Sequence, residues 1–220
     1  MKLIKKLTLS TLLLAGISFS TQAAIIGGVE FPDGAASFAD KVVSFTPGDP
    51  SATSPYSNPE NAIGIPDFDA ASTSCTDTDC EYVSLGRGGS IVLEFVDNLL
   101  TGSNNSDLDL WVFEIGPDVE DTFVDVSADG LVWTSVGKVF GATSGIDLDA
   151  FGFDASSLLR FVRLTDDPDE GDLTGLTVGA DIDAVGAIST ILVPPTDVNA
   201  PSIAILIGLM MTGLIARRKS

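Results

Sequence analysis

The sequence predicts an all-β fold, an antiparallel β-sandwich or jelly roll. Three observations carry this. Short runs of β-type residues recur along the chain, 22 glycines and 11 prolines punctuate it, and no long helical period appears between its two ends. Strands this short and regular suit packed antiparallel sheets, not a βαβ fold.

The expected strands are 41–45, 82–85, 90–96, 108–115, 122–127, 132–136, 160–165 and 181–189. Arg87-Gly88-Gly89 reads as a turn leading into the third of them. In that strand Ile91, Leu93 and Phe95 share one side, as half-buried pleating requires. In 108–115, Trp111, Phe113 and Ile115 share a side, and Asp109 extends the row. Ser127-Ala128-Asp129-Gly130 joins the next two strands, with Gly130 free to take positive φ. Residues 154–159 read as a single helical turn capped by Asp154 or Ser156. In 181–189, Val185 and Ala187 share a side with Asp181 and Asp183.

Both ends read as addresses. Lys2, Lys5 and Lys6 precede an apolar core, and Thr21-Gln22-Ala23 offers small residues to a signal peptidase, so residues 1–23 are expected to be a signal peptide cut between Ala23 and Ala24. One β-sandwich domain is expected over 24–190, a linker over 191–199 containing Pro194-Pro195, and an apolar helix with a basic tail over 200–220. The apolar run from Ile203 to Ala216 is about 21 Å long as a helix, and a bilayer core is about 30 Å thick. Arg217, Arg218 and Lys219 place its end on the cytoplasmic side of the inner membrane.

Charge narrows the partners. Lys41, Arg87, Lys138, Arg160 and Arg163 are the only cations between Ala24 and Ala216, against all 31 carboxylates of the chain. Such a surface repels nucleic acid and attracts divalent cations. The chain has no histidine, which removes Ser-His-Asp and Cys-His catalysis and the commonest zinc and iron ligand sets. Cys75 and Cys80 are the two thiols, and in an exported chain they read as a disulfide pinning the short loop between them.

A carboxylate in line with core residues needs a counter-charge. Asp107 with Asp109, and Asp181 with Asp183, each put two carboxylates on one side of a strand. If these strand ends adjoin, the two pairs can share one Ca²⁺, with carbonyls and water completing its six to eight oxygens. Glu114, Asp40 and the Asn104-Asn105 loop are further candidate ligands, and Arg160 or Arg163 is the competing partner for Asp183. The run from Asp166 to Asp172 departs from the EF-hand pattern at Pro168 and Thr177 and reads as a solvated loop. A carboxylate-pair glycosidase using Asp109 with Asp183, or Glu114 with either of them, is the enzymatic alternative. With Trp111 and Trp133 both in strand patterns that suit core packing, no enzyme is expected.

Two resemblances add to this reading. Val198-Asn199-Ala200-Pro201, the apolar run and Arg217-Arg218-Lys219 together resemble the PEP-CTERM sorting signal, with Asn199-Ala200-Pro201 where the family has Pro-Glu-Pro. The resemblance implies handling by an exosortase-type protease and delivery to the cell surface or extracellular matrix. In addition, Asn58 to Asp67, Val83-Ser84-Leu85-Gly86, Gly89 to Phe95, Leu110 to Glu114, Val126 to Gly130, Arg160 to Asp166 and Asp181 to Gly186 occur in that order. This series is similar to a family of bacterial surface proteins whose sandwich resembles galactose-binding, discoidin-like domains. It implies a fold, a location and, as in many such sandwiches, a structural calcium. The expectation is a non-catalytic surface or matrix protein that adheres to or scaffolds polysaccharide. A stand-alone glycan-binding module is the alternative.

Overall fold

The computed structural model describes residues 22–68, 81–115, 120–171 and 173–193. The expected signal peptide, the Cys75–Cys80 disulfide, and the tail with Val198, Asn199, Ala200, Pro201, Arg217, Arg218 and Lys219 lie outside the described residues.

The fold is all-β, with thirteen strands among the described residues. A five-stranded antiparallel sheet runs in the order β3 (Lys41–Thr46), β5 (Ser90–Glu94), β11 (Phe161–Asp166), β8 (Thr122–Ser127) and β9 (Thr134–Val139). A four-stranded sheet runs β10 (Thr143–Ile146), β7 (Leu110–Glu114), β12 (Asp181–Ala187) and β4 (Val83–Ser84). Two ribbons complete it: β1 (Ala24–Ile26) with β2 (Val29–Phe31), and β6 (Asn98–Leu100) with β13 (Thr190–Leu192).

The main core fills the space between the two large sheets. Ile91 and Leu93, Val162 and Leu164, Val124 and Val126 come from the five-stranded sheet by strict alternation. Leu110, Val112, Ile182 and Val185 meet them from the other. All are buried, each side chain stabilising by about 1.5–3 kcal/mol through area removed from water. Truncating Leu164 to Ala would leave a cavity costing about 2–5 kcal/mol.

The four-stranded sheet is covered on both faces. Phe31 and Phe38, from β2 and the residue after the 3-10 turn Gly34–Ser37, pack on Phe113 and Ala184 on the outer side, with ring centroids 4.6–6.1 Å apart. A Cβ on Gly186 would stand 2.8 Å from both Phe31 and Phe38, so only glycine lets the rings approach β12. Trp111 and Phe113 therefore face this second cluster, while Leu110 and Val112 face the main core.

Each of the eight expected strands overlaps an observed one. β1, β2, β6, β10 and β13 were not expected; four of the five are only three residues long, and β10 contains a glycine, so none carries a readable period. Ile191 and Leu192, expected in the linker, pair with Leu99 and Asn98. The turn expected over 154–159 is not helical: Asp154 Oδ1 accepts from the Ser156 N–H at 2.9 Å, a local loop closure. The 3-10 turn lies earlier, at Asp149–Phe151. The Ser127–Gly130 turn forms as expected, with Gly130 at φ 73° and Ser127 Oγ accepting from its N–H at 2.9 Å.

Candidate functional site

Strand pairing decides where the acidic residues go. β7 and β12 are neighbours, but antiparallel ones, with Leu110 opposite Ala187 and Glu114 opposite Ile182. The start of β7 therefore meets the end of β12. Asp109 sits beside Ile188, whose N–H it accepts at its carbonyl (2.7 Å), while Asp181 and Asp183 lie at the far end beside Glu114. Five residues separate these ends along β7, about 17 Å of strand. The single ion cage expected from Asp107, Asp109, Asp181 and Asp183 does not form. Two of the expected donors, Asp107 and Asp40, also stand elsewhere. Asp107 is an exposed turn residue whose N–H bonds Asn105 Oδ1. Asp40 is exposed, and its Oδ2 accepts from the N–H groups of Val96 (2.6 Å) and Asp97 (3.4 Å). Neither arginine meets Asp183: Arg163 binds Asp125 at 2.9 Å, and Arg160 lies 3.9 Å from Glu94.

A bulge changes the second pair again. The register of β12 against β7 slips between Ile182 and Ala184, inserting one residue. Ile182 and Val185 both face the main core, though three apart, and Ala184 joins the outer cluster. Asp183 thus leaves the row of Val185 and Ala187 that simple alternation gave it.

At this end Asp183, Glu114 and Ile115 border a cavity of about 410 Å³, with Phe68, Pro66, Phe113 and Gly27 on its walls. Asp183 Oδ1 and Oδ2 accept from the N–H groups of Asp67 (3.2 Å) and Phe68 (3.4 Å). Burial pushes its carboxyl up to about 7, those two N–H groups opposing. Glu114 is almost fully buried, with Oε1 accepting from Glu120 N–H at 3.1 Å and Oε2 without a hydrogen-bond partner. Burial drives its carboxyl up to about 9, and the charges of Glu120 and Asp181 add to the rise. Asp181 is held at about 7, again mainly by burial. Among the described residues no lysine or arginine contact reaches these groups, and burial favours the protonated form of each.

The other end is different. Asp109 is fully buried, Oδ2 accepting from Leu148 N–H at 2.9 Å and Oδ1 having no hydrogen-bond partner. Burial raises its carboxyl pKa and the charge of Asp149 adds to the rise, while the Ser189 hydroxyl, the Leu148 N–H and the Ser103 hydroxyl counter this only partly. Asp147 and Asp149, which the sequence reading did not select, each bring a carboxylate oxygen to Asp109, all three within 4.8 Å of one another. The expected Asn104-Asn105 loop does arrive here: the N–H groups of Ser103 and Asn104 donate to Asp149, at 2.8 and 3.1 Å. The signal was present as another Asp-x-Asp, Asp147-Leu148-Asp149, without a visible strand beside it.

A third acidic group joins Asp121, Asp167 and Glu170. Lys138 lies among them, with Nζ 2.8 Å from Asp121 and 2.5 Å from Asp167. Its charge and hydrogen bond hold Asp167 below the usual carboxylate range. Neither tryptophan borders the cavity. Trp133, expected in the core, instead lies under the Arg163 guanidinium, 4.6 Å from its ring. Trp111 packs on the outer cluster.

No protein-family model matches the chain, and no curated protein does. Among solved structures it is similar to the C-terminal domain of a chitobiase from Bacteroides fragilis, at 15% identity and a TM-score of 0.38, over 73% of this chain and 97% of that one.

Proposed function

We propose that this chain is an exported, non-catalytic β-sandwich module of the cell surface or matrix that holds polysaccharide, delivered through its C-terminal sorting segment. The observation that carries the binding role is the cavity of about 410 Å³ beside Asp183 and Glu114. Phe68, Phe113 and Pro66 offer apolar faces of the kind a sugar ring lies against. A protonated Glu114 both donates and accepts hydrogen bonds, which suits hydroxyl groups. The surplus of carboxylates over cations favours a neutral glycan over an acidic one.

A glycan array on the full-length chain tests this. Micromolar binding of a neutral glycan is expected, weakened about tenfold in Phe68→Ala, the loss of one ring contact worth about 1.4 kcal/mol. Absence of binding, or binding unchanged in Phe68→Ala, overturns it. A second reading is a carboxylate-pair hydrolase, favoured by Glu114 holding a proton beside Asp183. It requires turnover of aryl glycosides that disappears in Glu114→Gln. Retention of the full-length chain at the cell surface, with release into the medium when 198–220 is deleted, tests the sorting role.

A further inference from the structure

We propose that the cavity beside Asp183 selects a glycan carrying a free ammonium group, an amino sugar with its nitrogen unacylated. This rests on the polysaccharide reading and adds to it the chemistry of the recognised group. Asp183 borders the cavity, is 4% exposed, and takes its hydrogen bonds from the backbone N–H groups of Asp67 and Phe68. The charges of Asp67 and Glu81 lie near enough to raise its pKa beyond the effect of burial. Counter-charge is remote. Lys41, Lys138 and Arg163 stand on strands of the five-stranded sheet and Arg160 directly precedes one, whereas Asp183 belongs to the four-stranded sheet. Their ion pairs go to Glu94, Asp121, Asp125 and Asp167, and Arg87 Nε donates to the Pro168 carbonyl. No lysine or arginine occurs over 42–86 or 164–216, the stretches that supply Pro66, Phe68 and Asp183.

A ligand ammonium supplies the charge that this region lacks. Burial opposes ionisation of a carboxyl with no cation beside it, and a cation arriving there favours the carboxylate again. The hydrogen bond then formed has both partners charged, which makes it roughly twice as strong as a neutral one. The walls suit the same group. Phe68 and Phe113 bring aromatic rings to the cavity, and a ring quadrupole attracts a cation within about 6 Å of its centre. Both rings are fixed by close neighbours. Tyr82 meets Phe68 edge-on at 6.0 Å, and a Cβ on Gly27 would stand 2.3 Å from the Phe113 ring. A sugar hydroxyl at the same position forms a neutral hydrogen bond and brings no charge, and a uronate is repelled. The order of preference is therefore amine, hydroxyl, acid.

Calorimetric titration of the full-length chain at pH 6.5 with matched β-1,4-linked tetramers of glucose and of glucosamine tests the proposal; the two differ only in a hydroxyl or an ammonium at each ring. Benzylammonium serves as a third probe, an amine without a sugar. The glucosamine tetramer is expected to bind at least tenfold more tightly than the glucose tetramer. In Asp183→Asn that ratio falls to within about threefold of unity, and in Asp121→Asn, which removes a carboxylate held by Lys138, it is unchanged. Equal affinity for the two tetramers overturns the ammonium preference and leaves the polysaccharide reading standing. A ratio that survives in Asp183→Asn overturns the assignment to this cavity. Binding of benzylammonium with neither tetramer bound overturns the polysaccharide reading and keeps the ammonium site, and silence from all three probes overturns both. The ratio in the parent chain decides the preference even where Asp183→Asn does not fold.

Discussion

The Asp121–Asp167–Glu170 group and the Asp109–Asp147–Asp149 group are built alike: three carboxylates drawn together on loops at strand ends. The first encloses Lys138 and is closed by the chain itself. In the second, no lysine or arginine contact of the described residues reaches the carboxylates, and one buried oxygen has no hydrogen-bond partner. In a third region, around Glu114, Asp181 and Asp183, burial favours the protonated carboxyls instead. The difference teaches that an acidic cluster has no single meaning. What closes it depends on whether a long basic side chain happens to be within reach and how far burial penalises the charge.

That contrast is open to attack at its strongest point first. Glu114, Asp181 and Asp183 have folded pKa values above their ordinary ones. Their contribution to stability is complete below about pH 4. It is lost as pH rises, through about 7 for the aspartates and about 9 for Glu114. Stability is therefore expected to fall between pH 4 and pH 9. Glu114→Gln removes part of that slope and raises stability at pH 8 by on the order of 4 kcal/mol, with no gain at pH 4. Denaturant melts at both pH values check it. A variant with an unchanged pH profile would show that the region holds charge, not protons.

A smaller effect sharpens the first comparison. Lys138→Met removes the internal cation and makes the Asp121 group resemble the Asp109 group. The variant is expected to be less stable than the parent in chelator and to gain stabilisation from Ca²⁺ that the parent lacks at this group, read by thermal melts. If calcium fails to rescue it, the three carboxylates there are solvated well enough to need no counter-ion.

The smallest effect is at Lys41. Its ammonium lies 3.0 Å from Glu94, with the side chain largely exposed. Lys41→Ala is expected to change stability by less than about 1 kcal/mol, diminishing further in salt. A larger loss would mean that surface pairs on this acidic sandwich act as a network.

Much of this fold was legible from period-2 patterning. Ile91, Leu93 and Phe95 were placed on one side by alternation alone, because a pleated strand has only two faces. Gly130 was legible as a turn because the position takes positive φ. The three-residue strands β1, β2, β6 and β13 were not, since three residues show no period and their partners lie far along the chain or across a tight turn. The outer cluster of Phe31, Phe38 and Phe113 followed from those unseen strands.

Composition and order determined the all-β class, the scarcity of counter-charge and the need of buried aspartates for something positive. Those are properties of residue types and their spacing. The tertiary structure decided which aspartates meet. Antiparallel pairing sent the Asp109 and Asp183 ends about 17 Å apart, and one bulged residue turned Asp183 toward a cavity. It also brought Asp147 and Asp149 to Asp109 and Lys138 to Asp167. Register and strand direction are long-range pairings, and local sequence carries no record of them.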